Sequence, residues 1–136
     1  MAPPVTSILL LLSLILPTSS LTLFFLEGQI TCYLNRPFTY QIQVVEEDYV
    51  QSDAISYASF VNSPTSPSHY NITALATNDG WNDYYFEIAY EVYHNCHESG
   101  QHMYWHEIVS NFWIYSGTHY HTHNFDLTNK GVPYAW

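Results

Sequence analysis

The alternation of apolar and polar residues with a period of two constrains the fold of this chain more than any other feature. In the clearest example, Phe86, Ile88, Tyr90 and Val92 fall on one face of an extended segment. Similar alternation, rich in β-branched and aromatic residues, occupies residues 30–34, 40–44, 72–76, 103–109 and 119–127. Successive side chains of a strand point to opposite faces of a sheet, so each segment is predicted to be a half-buried strand.

Turn-forming residues separate these segments at short intervals. They occupy residues 35–37, 62–68, 78–80, 99–100 and 116–117. About seven or eight short strands with this spacing predict an all-β fold, an antiparallel β-sandwich of two sheets. Residues 62–68, rich in Ser and Pro, are predicted to form a long surface loop. Ser116-Gly117 is predicted to form the turn of a hairpin between two strands. Residues 46–48 are predicted to form the solvent-exposed end of a strand.

Residues 1–20 have a different character from the rest of the chain. The apolar run from Ile8 to Leu16 is broken only by Ser13 and is followed by Pro17 and small residues. It is too short to span a bilayer and has the shape of a secretory signal peptide. We expect residues 1–20 to be a signal peptide and 21–136 to form one secreted domain. The alternatives are a buried N-terminal helix and a retained membrane anchor.

Basic residues are nearly absent. Arg36 and Lys130 are the only two, against 12 Asp and Glu, and the net charge is −10 at pH 7. Nucleic acids and anionic lipid surfaces are bound through clusters of Lys and Arg, so this composition excludes both as partners. The hydrophobic content of 47% argues against a disordered chain.

The two cysteines are predicted to point into the core. Cys32 shares the parity of Ile30, and Cys96 shares the parity of Val92. A disulfide between the two sheets is the natural outcome in an oxidising compartment, and two buried thiols are the alternative. A nucleophilic Cys96 assisted by a neighbouring histidine is a further alternative, which is disfavoured in a small secreted sandwich. No serine-hydrolase motif is found, and we expect no enzymatic activity.

One sequon occurs in the chain. Asn71-Ile72-Thr73 matches the acceptor pattern for N-linked glycosylation. Such a site is used only on chains that enter the secretory pathway. We therefore predict that Asn71 is glycosylated.

The histidines are the most distinctive chemical feature. His119, His121 and His123 alternate, so they share one strand face and are candidate ligands for Zn or Cu. Same-face neighbours lie about 6.6 Å apart, so His119 and His123 are too distant to chelate one ion together. A second group surrounds Cys96 at residues 94–102. The alternative for both groups is a set of ordinary surface or half-buried histidines, with no cofactor.

Histidine protonation predicts a strong dependence on pH. Exposed histidines gain a proton near pH 5, because their unperturbed pKa is about 6.5. If all eight were charged, the net charge would change from −10 to −2. We expect solubility and partner binding to change between pH 7 and pH 5.

Four short motifs resemble those of the nematode transthyretin-like secreted proteins. Residues 26–32 (Leu-Glu-Gly-Gln-Ile-Thr-Cys) are similar to the opening strand of that family, and residues 93–96 (Tyr-His-Asn-Cys) to its Tyr-His-Asp-Cys motif. Residues 77–80 resemble its Thr-Asp-x-x-Gly turn, and residues 114–117 its Tyr-Ile-x-x-Gly. The resemblance extends from Gly28 to about Gly131. Two further cysteines that are common in the family are absent here.

The resemblance implies a transthyretin-like sandwich of two four-stranded sheets in an extracellular protein that binds ligands or bridges cell surfaces to receptors. A hydrolase of hydroxyisourate shares this fold, but its C-terminal Tyr-Arg-Gly-Ser motif is replaced here by Pro133-Tyr134-Ala135-Trp136. We therefore expect a non-enzymatic binding or bridging protein with an extracellular or cell-surface protein partner. The abundant Tyr and Trp suit such an interface. The alternatives are a histidine-based metal-binding or pH-responsive module, and a homo-oligomeric carrier of a small apolar ligand.

Overall fold

The computed structural model describes residues 21–48, 51–77, 84–114 and 117–135. The expected signal peptide, residues 1–20, and the expected turn at 78–80 lie outside these ranges. The described strands are β1 (Leu21–Thr31), β2 (Phe38–Glu46), β3 (Asp53–Ala54), β4 (Ser59–Ser63), β5 (Ser68–Thr77), β6 (Tyr85–His94), β7 (Met103–Trp113), β8 (Thr118–Thr122), β9 (Phe125–Asp126) and β10 (Val132–Pro133). Within these ranges, no helix is long and apolar enough to span a membrane.

The first sheet, sheet A, is built around β1. Strand β5 pairs with β1 in antiparallel register, from Leu21 opposite Thr77 to Ile30 opposite Ser68. On its other side β1 pairs with β8 and then β9, and both of these pairings are parallel. The sandwich is therefore mainly antiparallel, with two parallel pairings at this edge of sheet A. They arise because the chain reaches β8 from the opposite sheet and not from a neighbouring strand of sheet A.

The second sheet, sheet B, has the strand order β10-β7-β6-β2-β3, and β4 also pairs with β2. Strand β6 lies between β2 and β7 and is antiparallel to both. The register of β6 and β7 shifts between Ile88 and Ala89, where β7 has an extra residue. A β-bulge of this kind changes which side chains of a strand face inward.

The core lies between the two sheets, and it confirms the predicted all-β sandwich. Alternate residues of β1, β2, β5 and β6 are buried, as the period-two pattern predicted. Phe24 of β1 packs edge-to-face on Phe86 of β6, with ring centroids 5.5 Å apart. The buried apolar side chains of the two sheets form one continuous cluster that includes Leu26, Ile42 and Leu127.

The two cysteines form a disulfide, which confirms the predicted pairing. Cys32 follows β1 in sheet A, and Cys96 follows β6 in sheet B. Both residues are almost completely buried. The bond therefore links the two sheets at one end of the core.

One local prediction was wrong, and two were correct only in part. Strands β7 and β8 do not form a hairpin, since β7 belongs to sheet B and β8 pairs with β1. The predicted loop at 62–68 is shorter, because Ser63 ends β4 and Ser68 begins β5. The predicted solvated strand end contains the buried Glu46, which has the inward parity of Val44. In each case, pairing with a distant strand overrode the local pattern.

Candidate functional site

The three alternating histidines lie on the inner face of β8 and the segment that follows it. In sheet A, His119 is paired with Phe24 and His121 with Leu26, and both partners point into the core. The prediction that the histidines share the face of Phe125 and Leu127 is confirmed. Since β8 is an outer strand of sheet A in the described structure, the histidines are half-buried rather than fully enclosed.

His123 is held in place by its main chain. Its N–H donates to the carbonyl of Glu27 at 2.9 Å, and its carbonyl accepts from the Tyr70 hydroxyl at 2.7 Å. Burial, followed by the neighbouring Tyr90, raises the pKa of Tyr70, so that hydroxyl keeps its proton and donates. Gly28 allows this close approach, because a Cβ atom there would lie 1.7 Å from the His123 carbonyl oxygen. The imidazole of His123 therefore projects from a fixed backbone position.

The histidine rings continue the aromatic packing of the core towards the sandwich edge. His119 stacks on Phe24 with ring centroids 5.2 Å apart, and its Nε2 lies 3.1 Å from the carbonyl oxygen of Trp113. His121 stands edge-to-face on Phe112 of the opposite sheet. His123 lies nearly parallel to His121, with centroids 6.2 Å apart. These contacts make the three histidines part of the packing between the sheets.

Glu107 is the acidic residue of this cluster, and the sequence pattern did not single it out. Its Oε1 lies 3.4 Å from His123 Nε2, and its Oε2 accepts from Trp105 Nε1 at 3.2 Å. Glu107 faces inward opposite Tyr90, while Phe112 faces inward beyond the bulge. The bulge is what brings an acidic and an aromatic residue of one strand to the same face.

The electrostatics of the cluster favour neutral histidine at His121. Burial lowers the pKa of His121, and the neighbouring His123 lowers it further. The Nε2 atoms of both rings are buried without a well-aligned hydrogen bond. In the part of the chain that the structure describes, no three His, Cys, Asp or Glu side chains are arranged to hold a metal ion. Binding of Zn or Cu by His119, His121 and His123 stays a prediction from sequence.

The second histidine group, around Cys96, includes one buried residue that contacts the main chain of Cys96. His94 is buried beside the disulfide, and its Nδ1 accepts from the N–H of Cys96 at 3.2 Å. Burial, with a smaller contribution from His97, lowers the pKa of His94 to about 4. Since Cys96 is bonded to Cys32, it has no thiol to act as a nucleophile. The expected gain of eight charges near pH 5 is therefore too large, because His94 remains neutral there.

Both basic residues are engaged in contacts away from the carboxylates. The guanidinium of Arg36 donates to the main-chain carbonyls of Asn95 and His97. The ammonium of Lys130 lies 5.2 Å from the ring centroid of Trp105, a cation–π distance. Glu47, Glu91 and Glu98 instead have histidine, hydroxyl and amide partners.

The outer face of sheet B combines aromatic rings with carboxylates. Tyr93 lies between Tyr104 and Tyr134, with ring centroids 5.1 and 4.8 Å away. Beside this row, Glu91 accepts from the Tyr104 hydroxyl at 3.0 Å. Burial and this hydrogen bond raise the pKa of Tyr104, so the phenol stays protonated. We call this surface the aromatic–acidic face; its other members are Phe60, Glu47, Glu87, His106, Ile108 and Trp113.

Glu47 and His106 lie next to each other on the aromatic–acidic face. Glu47 accepts from Ser52 at 2.8 Å and lies 2.6 Å from Nε2 of His106. Burial by itself would raise the pKa of Glu47, but these two contacts outweigh it and lower the pKa. Glu47 is therefore held as a carboxylate at neutral pH. Several large apolar side chains remain open on the same face, including Phe60 at 58% and Ile108 at 57% exposure.

Asn71, the predicted glycosylation site, lies exposed on the outer face of sheet A. Its cross-strand partner in β1 is Glu27. Thr73, the third residue of the sequon, points to the same side. The site is thus on the opposite side of the sandwich from the aromatic–acidic face.

Comparison with protein-family models, with curated proteins and with solved structures produced no match. Sequence reasoning had found the histidines, the cysteines and Asn71, all of which carry a recognisable residue type or motif. It missed Glu107, Tyr70 and the aromatic–acidic face. The aromatic–acidic face could have been predicted from one strand, because Glu87, Glu91 and Tyr93 alternate with its apolar residues and so share its outer face.

Proposed function

We propose that the chain is a secreted, non-enzymatic binding or bridging protein of the transthyretin-like type. Three features support this proposal: the two-sheet sandwich, the disulfide between the sheets, and the short motifs around Gly28 and Cys96. Disulfides form and persist mainly in oxidising compartments, which favours an extracellular location.

The aromatic–acidic face is the observation that carries the proposal. It presents tyrosine rings and large apolar side chains next to carboxylates, and it extends across five strands of sheet B. Aromatic residues are enriched at protein interfaces because they bury a large area with few rotatable bonds. A contact through Tyr93, Tyr104 and Tyr134 gives affinity, and the neighbouring carboxylates select the partner by charge.

The charge of this face favours a basic partner. The chain has a net charge of −10, and Arg36 and Lys130 are both engaged elsewhere. Lys and Arg side chains of a partner can pair with the carboxylates and also lie over the tyrosine rings. The partner class is therefore a Lys- or Arg-rich surface of an extracellular or cell-surface protein.

The side chains that were candidates for catalysis are engaged in structural contacts, which favours a binding function over an enzymatic one. Cys96 is disulfide-bonded, and the His94 beside it is buried and neutral. The only guanidinium, that of Arg36, donates to main-chain carbonyls. The groups that sequence reasoning considered for chemistry thus have structural partners.

The test is binding of an oligolysine peptide, measured by isothermal titration calorimetry at low and at physiological salt. The wild type is expected to bind it and to ignore an oligoglutamate peptide. The double variant Glu87→Gln/Glu91→Gln is expected to bind oligolysine on the order of tenfold more weakly, because two carboxylates are lost. Gln keeps an oxygen that can accept from Tyr104, so the fold is preserved.

The matched control is Glu27→Gln, which removes an exposed carboxylate from the outer face of sheet A. This control is expected to leave oligolysine binding within about twofold of the wild type. Absence of oligolysine binding, or an equal loss in the control and the double variant, would contradict the proposal.

A further inference from the structure

The outer face of sheet A carries an apolar patch. Leu23 of β1 lies opposite Leu75 of β5, and the ring of Phe25 stacks on that of Tyr120 with centroids 5.2 Å apart. Leu75 is 50% exposed and Tyr120 is 77% exposed. A contiguous patch of this kind on a soluble protein is usually covered or functional.

Asn71 lies at the border of this patch. In the sheet register it shares a row with Glu27 and Thr122, and Phe25 and Tyr120 occupy the next row on the same face. Asn71 and Phe25 are diagonal neighbours on adjacent strands, with Cα atoms about 7–8 Å apart, which is within reach of a group attached to the asparagine. Tyr120 lies one strand further on and stacks on Phe25. A groove of about 300 Å³ connects Asn71 with the Phe25–Tyr120 ring pair.

We propose that Asn71 carries an N-linked glycan whose first sugar residue packs on Phe25 and Tyr120. A pyranose ring presents C–H groups on its faces and hydroxyls around its rim. Its faces can therefore cover the two aromatic rings while its hydroxyls remain in water. Attachment to Asn71 keeps the sugar beside the rings, which reduces the entropy lost when the contact forms. The glycan replaces an exposed apolar surface by a hydrophilic one.

The modification is a glycosyl transfer from a lipid-linked oligosaccharide diphosphate. Nδ2 of Asn71 forms a bond to C1 of the first sugar, while the bond between C1 and the diphosphate oxygen breaks. The lipid diphosphate leaves with the electron pair of that bond, and Nδ2 loses one proton. The Thr73 hydroxyl that completes the sequon lies on the same strand face.

Glycosylation of Asn71 shares with the proposed function only the entry of the chain into the secretory pathway. It does not require the aromatic–acidic face, which lies on the other sheet. Failure of the glycan therefore leaves oligolysine binding untouched, and failure of oligolysine binding leaves the glycan untouched.

The first experiment uses the full chain secreted from a eukaryotic cell line. An amidase that releases N-glycans is expected to lower its mass by that of one glycan, and the variant Asn71→Gln is expected to lack this change. Secretion of a wild-type chain without a glycan would overturn the inference.

The second experiment measures contact between the sugar and the rings in the wild-type protein. Tyrosines are nitrated with tetranitromethane before and after enzymatic deglycosylation, and peptides are quantified by mass spectrometry. Nitration of Tyr120 is expected to be several-fold slower in the glycosylated protein. Tyr33 and Tyr57, which are 73% and 98% exposed, are internal controls that should not change. Equal nitration of Tyr120 in both forms would overturn the packing contact.

A third measurement tests the same contact by stability. Glycosylation is expected to raise the Tm of the wild type by a few degrees, and this increment should shrink in Tyr120→Thr. The matched control Tyr33→Thr alters a similarly exposed tyrosine and should keep the full increment. Equal increments in both variants would count against packing on Tyr120. The nitration result stands on unaltered protein if Tyr120→Thr does not fold.

Discussion

At the scale of single residues, burial decides the charge state of His94. Its side chain lies beside the disulfide and accepts a hydrogen bond from the Cys96 N–H. Protonation of Nδ1 would remove the acceptor of this bond and would bury a positive charge. The lowered pKa of His94, about 4, is the consequence.

We predict that His94 makes the protein less stable in acid. The unfolded chain takes up a proton near pH 6.5, whereas the folded chain does so only near pH 4. The folded state binds fewer protons between these values, so stability falls as the pH drops through this window. The loss should reach about 3 kcal/mol, as measured by urea unfolding at a series of pH values.

The comparison for this prediction is His94→Asn, whose side-chain oxygen can replace the Nδ1 acceptor. This variant should lose stability less steeply than the wild type between pH 6.5 and pH 4. His69→Asn, on the exposed face of β5, should follow the wild-type profile. A wild-type and a His94→Asn profile that run parallel would contradict the assignment.

Gly28 is the second residue on which the local structure depends. A Cβ atom at this position would overlap the carbonyl oxygen of His123 and approach the ring of Tyr70 within 3.0 Å. Because the overlap involves the main chain, a side-chain movement cannot relieve it.

We predict that Gly28→Ala destabilises the protein by about 3 kcal/mol, because the 123–124 segment must move away from β1. Urea unfolding measures this loss. Gly117→Ala is the matched control, since a Cβ there would meet no atom within 4 Å. Equal stabilities of Gly28→Ala and the wild type would show that the segment does not approach β1 this closely.

At the scale of elements, two irregularities assemble the histidine cluster. The bulge in β7 turns both Glu107 and Phe112 inward. The passage of the chain from β7 in sheet B to β8 in sheet A then places His121 and His123 opposite them. A hairpin would have left β7 and β8 side by side in one sheet, and their inner faces could not have packed against each other.

The disulfide acts at the same scale, because it links the end of β1 to the end of β6. It closes a loop with a sequence separation of 64. We predict that the double variant Cys32→Ala/Cys96→Ala is less stable by about 4 kcal/mol on the chain-entropy account of disulfides. Urea unfolding with and without a reductant is the measurement. Reductant should destabilise the wild type and leave the variant unchanged; an effect on the variant would point to another cause.

At the scale of the whole molecule, unbalanced negative charge is the dominant electrostatic property. The net charge is −10, and neither Arg36 nor Lys130 pairs with a described carboxylate. Like charges repel more strongly in the compact state than in the expanded one, so this repulsion opposes folding. Histidine protonation reduces it, although His94 and His121 contribute less because their pKa values are lowered.

We predict that salt stabilises this protein at pH 7. Raising the ionic strength from about 0.01 M to 0.15 M shortens the Debye length from about 30 Å to 8 Å and screens the repulsion. The free energy of unfolding should increase on the order of 1 kcal/mol. The increase should be smaller at pH 5, where the net charge is lower. A loss of stability with added salt would mean that attractive pairs outweigh the repulsion.

The sequence of a single extended segment was sufficient to predict some strands and the residues that share one face of a strand. The period-two alternation of Phe86, Ile88, Tyr90 and Val92 predicted a strand with a buried face, and the structure confirms it. The parity of Cys32 and Cys96 predicted two core-facing cysteines, and that of His119, His121 and His123 predicted one shared face. Each inference needs only the alternation of side chains along one extended segment, which does not depend on what the segment pairs with.

The tertiary structure alone decided which strands meet. The partner of β8, the inward position of Glu107 and the burial of Glu46 all depend on segments distant in the sequence. A bulge changes which residues of a strand face inward, and no local sequence pattern marks it unambiguously. A strand that pairs in the other sheet keeps the same period-two alternation, so the alternation does not reveal its partner. The sequence by itself therefore determined an acidic β-sandwich with two core-facing cysteines and with the faces of its regular strands assigned. Long-range pairing determined the neighbours of each face, because the free energy that selects a pairing comes from burial across the whole core.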